Sequence, residues 1–226
     1  MQGIVFKGDR KIELQNFPDP TPGPGEVVLE IKASGMCGSD LKFYRSPPGE
    51  MLKSLGLGEG ATVIAGHEPC GVVVAVGTNV NPKQARVGQR VMVHHYRGCG
   101  ACPHCSTGWQ QLCVEGVKEV YGVSGNGAHS KYMKCPANTI VALPDKLTFE
   151  TGAAASCVVD RPTGPWPNTA RVWSPLSSSR CSAPQAVPVP QEMAAPVSNV
   201  SLSGSATMVL AGHFMYFAWA PLPLTP

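Results

Sequence analysis

Charge is scarce in this chain, and so are long apolar runs; each shortage removes a class of function. Asp, Glu, Lys and Arg make up 15% of the 226 residues, and the formal net charge is +3. That balance builds no concentrated basic field of the kind that nucleic-acid binding requires, so no nucleic-acid partner is expected. A membrane-spanning helix takes about 20 apolar residues. The apolar run from Met208 to Leu222 is shorter and is interrupted by Gly212, His213 and Pro221, so no membrane partner is expected either. Met1 to Lys11 has scattered charges and lacks the apolar core of a secretory signal, and a cytoplasmic location is the expectation. Thiols stay reduced there, so the nine cysteines read as metal ligands or free thiols rather than disulfides.

Helix signals are also sparse. Residues 1 to 157 show short apolar runs punctuated by Gly and Pro, the pattern of a β-rich domain. Val27, Leu29, Ile31 and Ala33 alternate with Val28, Glu30 and Lys32, as in a half-buried strand. Further strands are predicted at Gly3 to Phe6, Val63 to Ala65, Gly71 to Val76, Arg90 to Val93 and Lys131 to Lys134. One helix is predicted near Thr148, which caps Phe149, Glu150 and the alanine-rich Gly152 to Ala155.

Beyond Cys157 the composition changes. Residues 158–226 hold 11 of the 22 prolines, five charged residues and no lysine. No helical or strand period persists in them, and this segment is expected to form an irregular Pro/Ser/Ala-rich tail without an evident fold. Its low charge, with Trp166, Trp173 and Trp219, also sets it apart from a well-solvated disordered tail.

Four thiols recur at Cys99, Cys102, Cys105 and Cys113, with spacers of two, two and seven residues. A structural zinc takes four ligands at tetrahedral angles. Short Cys-x-x-Cys turns bring successive sulfurs to one point, and Gly98, Gly100 and Gly108 let the backbone fold tightly around the ion. His104 lies within the run and offers an alternative ligand, although the regular thiol spacing favours the cysteines. His94 and His95, just upstream, read as packed or solvated residues.

A second set of donors is spread more widely. Gly35-Met36-Cys37-Gly38-Ser39-Asp40 follows the alternating strand, and Gly66-His67-Glu68-Pro69-Cys70-Gly71 precedes Val72 to Val76. A catalytic zinc keeps three protein ligands and one open position, commonly from distant parts of the chain. Cys37, His67 and a third group fit that demand. Taken singly, Cys37 could be a small buried residue and His67 a core histidine. Cys70, Cys135 and Cys181 read as ordinary thiols.

These residues resemble the zinc-dependent medium-chain alcohol dehydrogenases. Gly66, His67, Glu68, Gly71, Gly77 and Val80 match the zinc signature of that family, and the Cys-Gly-Ser-Asp element and the four-cysteine lobe stand in its order. The resemblance runs from the N-terminus to about Cys157. It implies a mainly β, GroES-like partly closed barrel over residues 1–157, with a zinc lobe and short helices. It also implies two zinc ions per chain, a catalytic one on Cys37, His67 and Cys157 and a structural one on the lobe. Glu68 would sit beside the catalytic metal and coordinate it in some conformations. Ser39 would pass the proton of the alcohol, and Asp40 would orient His67. Many relatives continue the proton relay with a histidine three residues after the hydroxyl, where this chain has Lys42.

The implied reaction moves a hydride between a small alcohol or carbonyl substrate and NAD or NADP, with zinc as Lewis acid. The family normally holds its nicotinamide cofactor on a second, Rossmann domain carrying Gly-x-Gly-x-x-Gly between a strand and a helix. Here only Gly56-Leu57-Gly58-Glu59-Gly60-Ala61 fits the pattern loosely, and it lies inside the first domain, without the strand and helix that the motif needs. Codons for Arg161 to Pro167, read one base out of phase, allow Ala-Tyr-Gly-Ala-Leu-Ala, similar to the family's sequence after the third ligand. The tail is therefore expected to derive from a frameshift or a retained intron, leaving a truncated, impaired oxidoreductase. The alternative is a non-catalytic zinc-binding domain. The family is usually homo-oligomeric, an assembly expected to be weakened here.

Overall fold

The computed structural model describes residues 1–56, 62–156, 206–211 and 214–219. The fold is mainly β. Strands β1 (Gln2–Gly8) and β2 (Lys11–Asn16) form an antiparallel hairpin, followed by β3 (Glu26–Gly35) and two short helices, α1 (Gly38–Arg45) and α2 (Glu50–Ser54). Then come β4 (Glu68–Val76), β5 (Arg90–Val93), β6 (Tyr96–Arg97), the one-turn α3 (Pro103–Ser106) and β7 (Glu119–Val120). The remaining elements are β8 (Tyr132–Pro136), β9 (Ile140–Ala142), α4 (Phe149–Ser156), β10 (Ala206–Ala211) and β11 (Phe214–Trp219).

β3 is the spine of a seven-stranded sheet. One of its edges pairs with β4 from Val27↔Val76 to Gly35↔Glu68, and β5 and β9 extend the sheet on that side. Its other edge pairs with β8 from Glu26↔Pro136 to Glu30↔Tyr132. In β3, Val27, Leu29 and Ile31 are buried against Val73, Val91, Val93 and Met133 while Glu30 and Lys32 are half-buried, but Val28, read with the outer face, is buried as well. Each such side chain contributes about 1.5–3 kcal/mol by leaving water. A second cluster joins Ala33, Cys70, Met92, Leu143 and Ala153, and docks α4 on the sheet. The Thr148 hydroxyl accepts the Thr151 N–H at 3.2 Å, the capping expected at the start of α4.

Two expectations need correction. Val63 to Ala65 belong to no strand. Gly66 turns the chain immediately afterwards at φ +91°, which stops a ladder from forming. These residues instead make isolated backbone bonds, with Ala65 N–H donating to Ile4 at 2.8 Å and Gly127 N–H donating to Ile64 at 2.7 Å. In the tail, where no regular element was expected, β10 and β11 form an antiparallel hairpin, and β11 pairs with β3 at Ser34↔Phe217 and Gly35↔Tyr216. The apolar run from Met208 supplies residues that pair readily, and the end of β3 beyond its partner β8 offers them an open edge. Among the described residues no helix is long and apolar enough to cross a membrane.

Candidate metal centres

Two groups of metal-ligating side chains assemble among the described residues, Cys99, Cys102, Cys105 and Cys113 in one and Cys37, Asp40 and His67 in the other. In each, the ligand atoms lie within 4.8 Å of one another.

The four-cysteine lobe is built locally. Cys102 caps α3, its sulfur facing the Cys105 N–H at 3.5 Å. The Cys102 N–H donates to Cys99 Sγ at 3.3 Å, and the Cys99 N–H to Cys113 Sγ at 3.2 Å. Gly98 makes room for the cluster, since a β-carbon there would stand 2.4 Å from Cys105 Sγ. Its N–H is anchored on Gln110 Oε1 at 2.8 Å. Backbone N–H groups of Cys105 and Val114 lower the Cys102 thiol to about 6, and the Cys99 N–H lowers that of Cys113. Burial and the neighbouring sulfurs raise Cys105 to about 12. Partly ionised sulfurs crowded together repel, and a divalent cation relieves that repulsion while driving off the remaining protons. Zinc fits the spacing as well: Cys99 and Cys105 sulfurs are 4.0 Å apart, against about 3.8 Å for a tetrahedron with Zn–S near 2.3 Å. His104 is exposed on α3 and outside the group.

The second group is assembled over a longer range. Cys37 is the N-cap of α1: its sulfur faces the Ser39 N–H at 3.3 Å, and Asp40 Oδ2 accepts the Cys37 N–H at 2.9 Å. This reciprocal capping fixes Cys37, Ser39 and Asp40 together on the first turn. His67 arrives from the turn before β4. Its Nδ1 lies 3.2 Å from Asp40 Oδ1, and Nε2 faces Ser39 Oγ at 3.3 Å. Ser39 Oγ is also 2.9 Å from Cys37 Sγ. Asp40 and His67 are both buried. Burial alone would depress the His67 pKa, but Asp40 and Cys37 outweigh it and raise it to about 10. The site thus attracts positive charge at the point where Cys37 Sγ and His67 Nε2 converge.

Other predicted residues fall around this point. Glu68 is buried and opens β4, with its carboxylate over Gly35, where a β-carbon would collide with it; it is outside the ligand group. Lys42 is exposed on α1. Cys157 lies outside the described residues, as do Cys181 and most of Gly56 to Ala61. Cys70 and Cys135 are buried, and burial raises both thiols to about 12, as suits inert core residues.

Three nearby residues were not singled out as site residues from the sequence. His95 is buried, with its ring centroid 5.3 Å from that of His67, and it stacks with His94 at 5.8 Å. His129 is fully buried, and burial lowers its pKa to about 4, so the ring is neutral. It meets Ser34 Oγ at 2.9 Å. No local motif announces these positions.

The arrangement defines a class, and comparison with known proteins places the chain within it. Residues 23–145 match the alcohol dehydrogenase GroES-like domain. An uncharacterized zinc-type alcohol dehydrogenase-like protein of Escherichia coli is 36% identical over 163 residues, covering 70% of this chain and 44% of that protein. An L-threonine 3-dehydrogenase of Stenotrophomonas maltophilia is 34% identical over 168 residues, covering 71% of this chain and 47% of the relative. Among solved structures, acetophenone reductase from Geotrichum candidum in complex with NAD aligns with a TM-score of 0.56 and 31% identity, covering 69% of this chain and 43% of that one. A cobalt- and zinc-bound thermostable alcohol dehydrogenase from Pyrobaculum aerophilum aligns with a TM-score of 0.56 and 27% identity, over 69% and 44%. The chain belongs to the zinc-type alcohol dehydrogenase family through its GroES-like domain. It spans less than half the length of these relatives.

Proposed function

We propose that this chain carries the metal-binding catalytic half of an oxidoreductase that interconverts a small alcohol and its carbonyl compound, with NAD or NADP as hydride partner. The observation behind this reading is the convergence of Cys37 Sγ, His67 Nε2 and Ser39 Oγ on one point, with Asp40 behind His67. Cys37 and His67 would hold a catalytic zinc with Cys157 as third ligand, and Glu68, next to His67 in sequence, would join them in another conformation. Bound there, zinc would supply Lewis-acid polarisation of the substrate oxygen. Asp40 holds the imidazole through Nδ1, which leaves Nε2 for the metal. Ser39 Oγ would accept a hydrogen bond from a substrate hydroxyl at the same point and relay its proton by passing its own toward solvent. A second zinc on Cys99, Cys102, Cys105 and Cys113 would hold the lobe in shape, giving two per chain.

The relatives supply the substrate class and the cofactor of this reading: threonine 3-dehydrogenase acts on an alcohol, and acetophenone reductase was solved with NAD. A cytoplasmic location belongs to the same reading. A second reading, a zinc-binding module without turnover, is favoured by one feature: among the described residues there is no doubly wound parallel sheet to receive a dinucleotide. Titration of the zinc-loaded chain with NADH and NADPH, followed by fluorescence, separates the two. Quenching or a blue shift supports the enzyme; two zinc ions with no fluorescence change supports the module.

A further inference from the structure

Ser34 stands three residues before Cys37, and Gly66 immediately before His67, so these two positions govern where the ligand-bearing segments meet. A single side chain touches both. His129, from the segment leading into β8, places Nδ1 2.9 Å from Ser34 Oγ. The same ring stands against Gly66, where a β-carbon would come within 2.5 Å of Nδ1. Gly66 is thus held in its left-handed turn with the imidazole as its wall. Backbone bonds tie the His129 segment to the Gly66 turn and to β1: His129 N–H donates to Ala65 at 2.8 Å, Ala128 N–H to Gly66 at 2.9 Å, and Ile4 N–H to the His129 carbonyl at 2.9 Å. Phe6 closes the far side, edge-on at 6.0 Å.

We infer that His129 is a positioning residue for the Cys37–His67 metal centre, acting through its hydrogen bond to Ser34 and its contact with Gly66. It touches no reacting group itself. A phenyl ring would fill the same space, but only a group with a polar atom at the Nδ1 position can hold the buried Ser34 hydroxyl and so set the distance from the end of β3 to the His67 turn. The inference rests on the reading of Cys37 and His67 as metal ligands. Groups that orient a metal ligand are worth about 10- to 100-fold in metal affinity.

Cobalt(II) titration of the full chain tests it, because the four-thiolate lobe gives its own intense charge-transfer band as an internal sign of folding. His129→Phe and Ser34→Ala should each weaken cobalt binding at the Cys37–His67 centre about 10-fold or more and change its d–d band, with the lobe band intact. His129→Asn, which keeps a polar atom near the Nδ1 position, should recover most of the band shape. If His129→Phe loses the lobe band as well, the smaller Ser34→Ala change decides: weaker binding supports the inference, and unchanged binding overturns it. If the parent chain shows both sites and neither variant alters the second, the inference alone falls. If the parent chain shows only the lobe band, the metal-centre reading falls and takes the inference with it.

Discussion

His67 Nδ1 and Asp40 Oδ1 lie 3.2 Å apart, both side chains buried, so the imidazole presents Nε2 toward Cys37 and Ser39. A neutral amide at position 40 keeps the shape but removes the charge that supports the ring. Asp40→Asn should therefore weaken metal binding at this centre by about 10- to 100-fold, with the four-cysteine lobe unaffected. Competition with a chromophoric chelator measures both affinities. Equal affinities in variant and parent would show that Asp40 does not orient His67.

Metal removal should separate the thiols into two chemical groups. With the lobe filled, a thiol reagent should label Cys99, Cys102, Cys105 and Cys113 slowly; after chelation it should label them quickly. Cys70 and Cys135 should stay silent until the chain unfolds, since burial raises both to about 12. Mass spectrometry of the labelled peptides reads the outcome. Fast labelling of the lobe before chelation would mean that it holds no metal.

Gly66 sits at φ +91° against the His129 ring. Gly66→Ala meets both an unfavourable backbone and a steric collision, and should destabilise the domain by about 2 kcal/mol or more. Urea unfolding measures this. A change below about 0.5 kcal/mol, the range of ordinary surface substitutions, would mean that the turn relaxes freely.

Glu26 opens β3 and carries the pH-dependent contact most easily tested. Burial alone would raise its pKa, but the Gly23 N–H at 2.9 Å and Lys134 at 3.1 Å overcome this and lower it. A lowered carboxylate stabilises the fold above its unfolded pKa, and the contribution is lost as pH falls toward the folded value. Because Lys134 is 42% exposed, the contribution is at most about 1 kcal/mol. Glu26→Gln should lower the melting temperature at pH 7, and the gap should close as the solution is acidified below the ordinary carboxylate range. A gap that is constant with pH would rule out an electrostatic origin.

What could be read in advance depended on range along the chain. The lobe was legible because three of its four cysteines sit in one turn-rich run from Cys99 to Cys105, and the core strand β3 because Val27, Leu29 and Ile31 share one buried face. Helix α1 was missed because its cap is a cysteine. The Cys37-x-x-Asp40 pair has the geometry of a capping box, so the signal was present in an unusual residue type. His129 reaches Ser34 across 95 residues, and no local period encodes such a contact. The hairpin at 206–219 was hidden because its pairing edge on β3 lies far away in sequence, while the surrounding prolines dilute any alternation.

The Cys37–His67 group and the four-cysteine lobe are proposed as two separate metal centres in one chain, one for chemistry and one for shape. Elemental analysis of zinc per chain, on the parent protein and on Cys37→Ala and Cys99→Ala, tests this most directly. Two zinc ions are expected in the parent, with the loss of one in each variant. A zinc content unchanged by Cys37→Ala would show that Cys37 and His67 hold no second zinc.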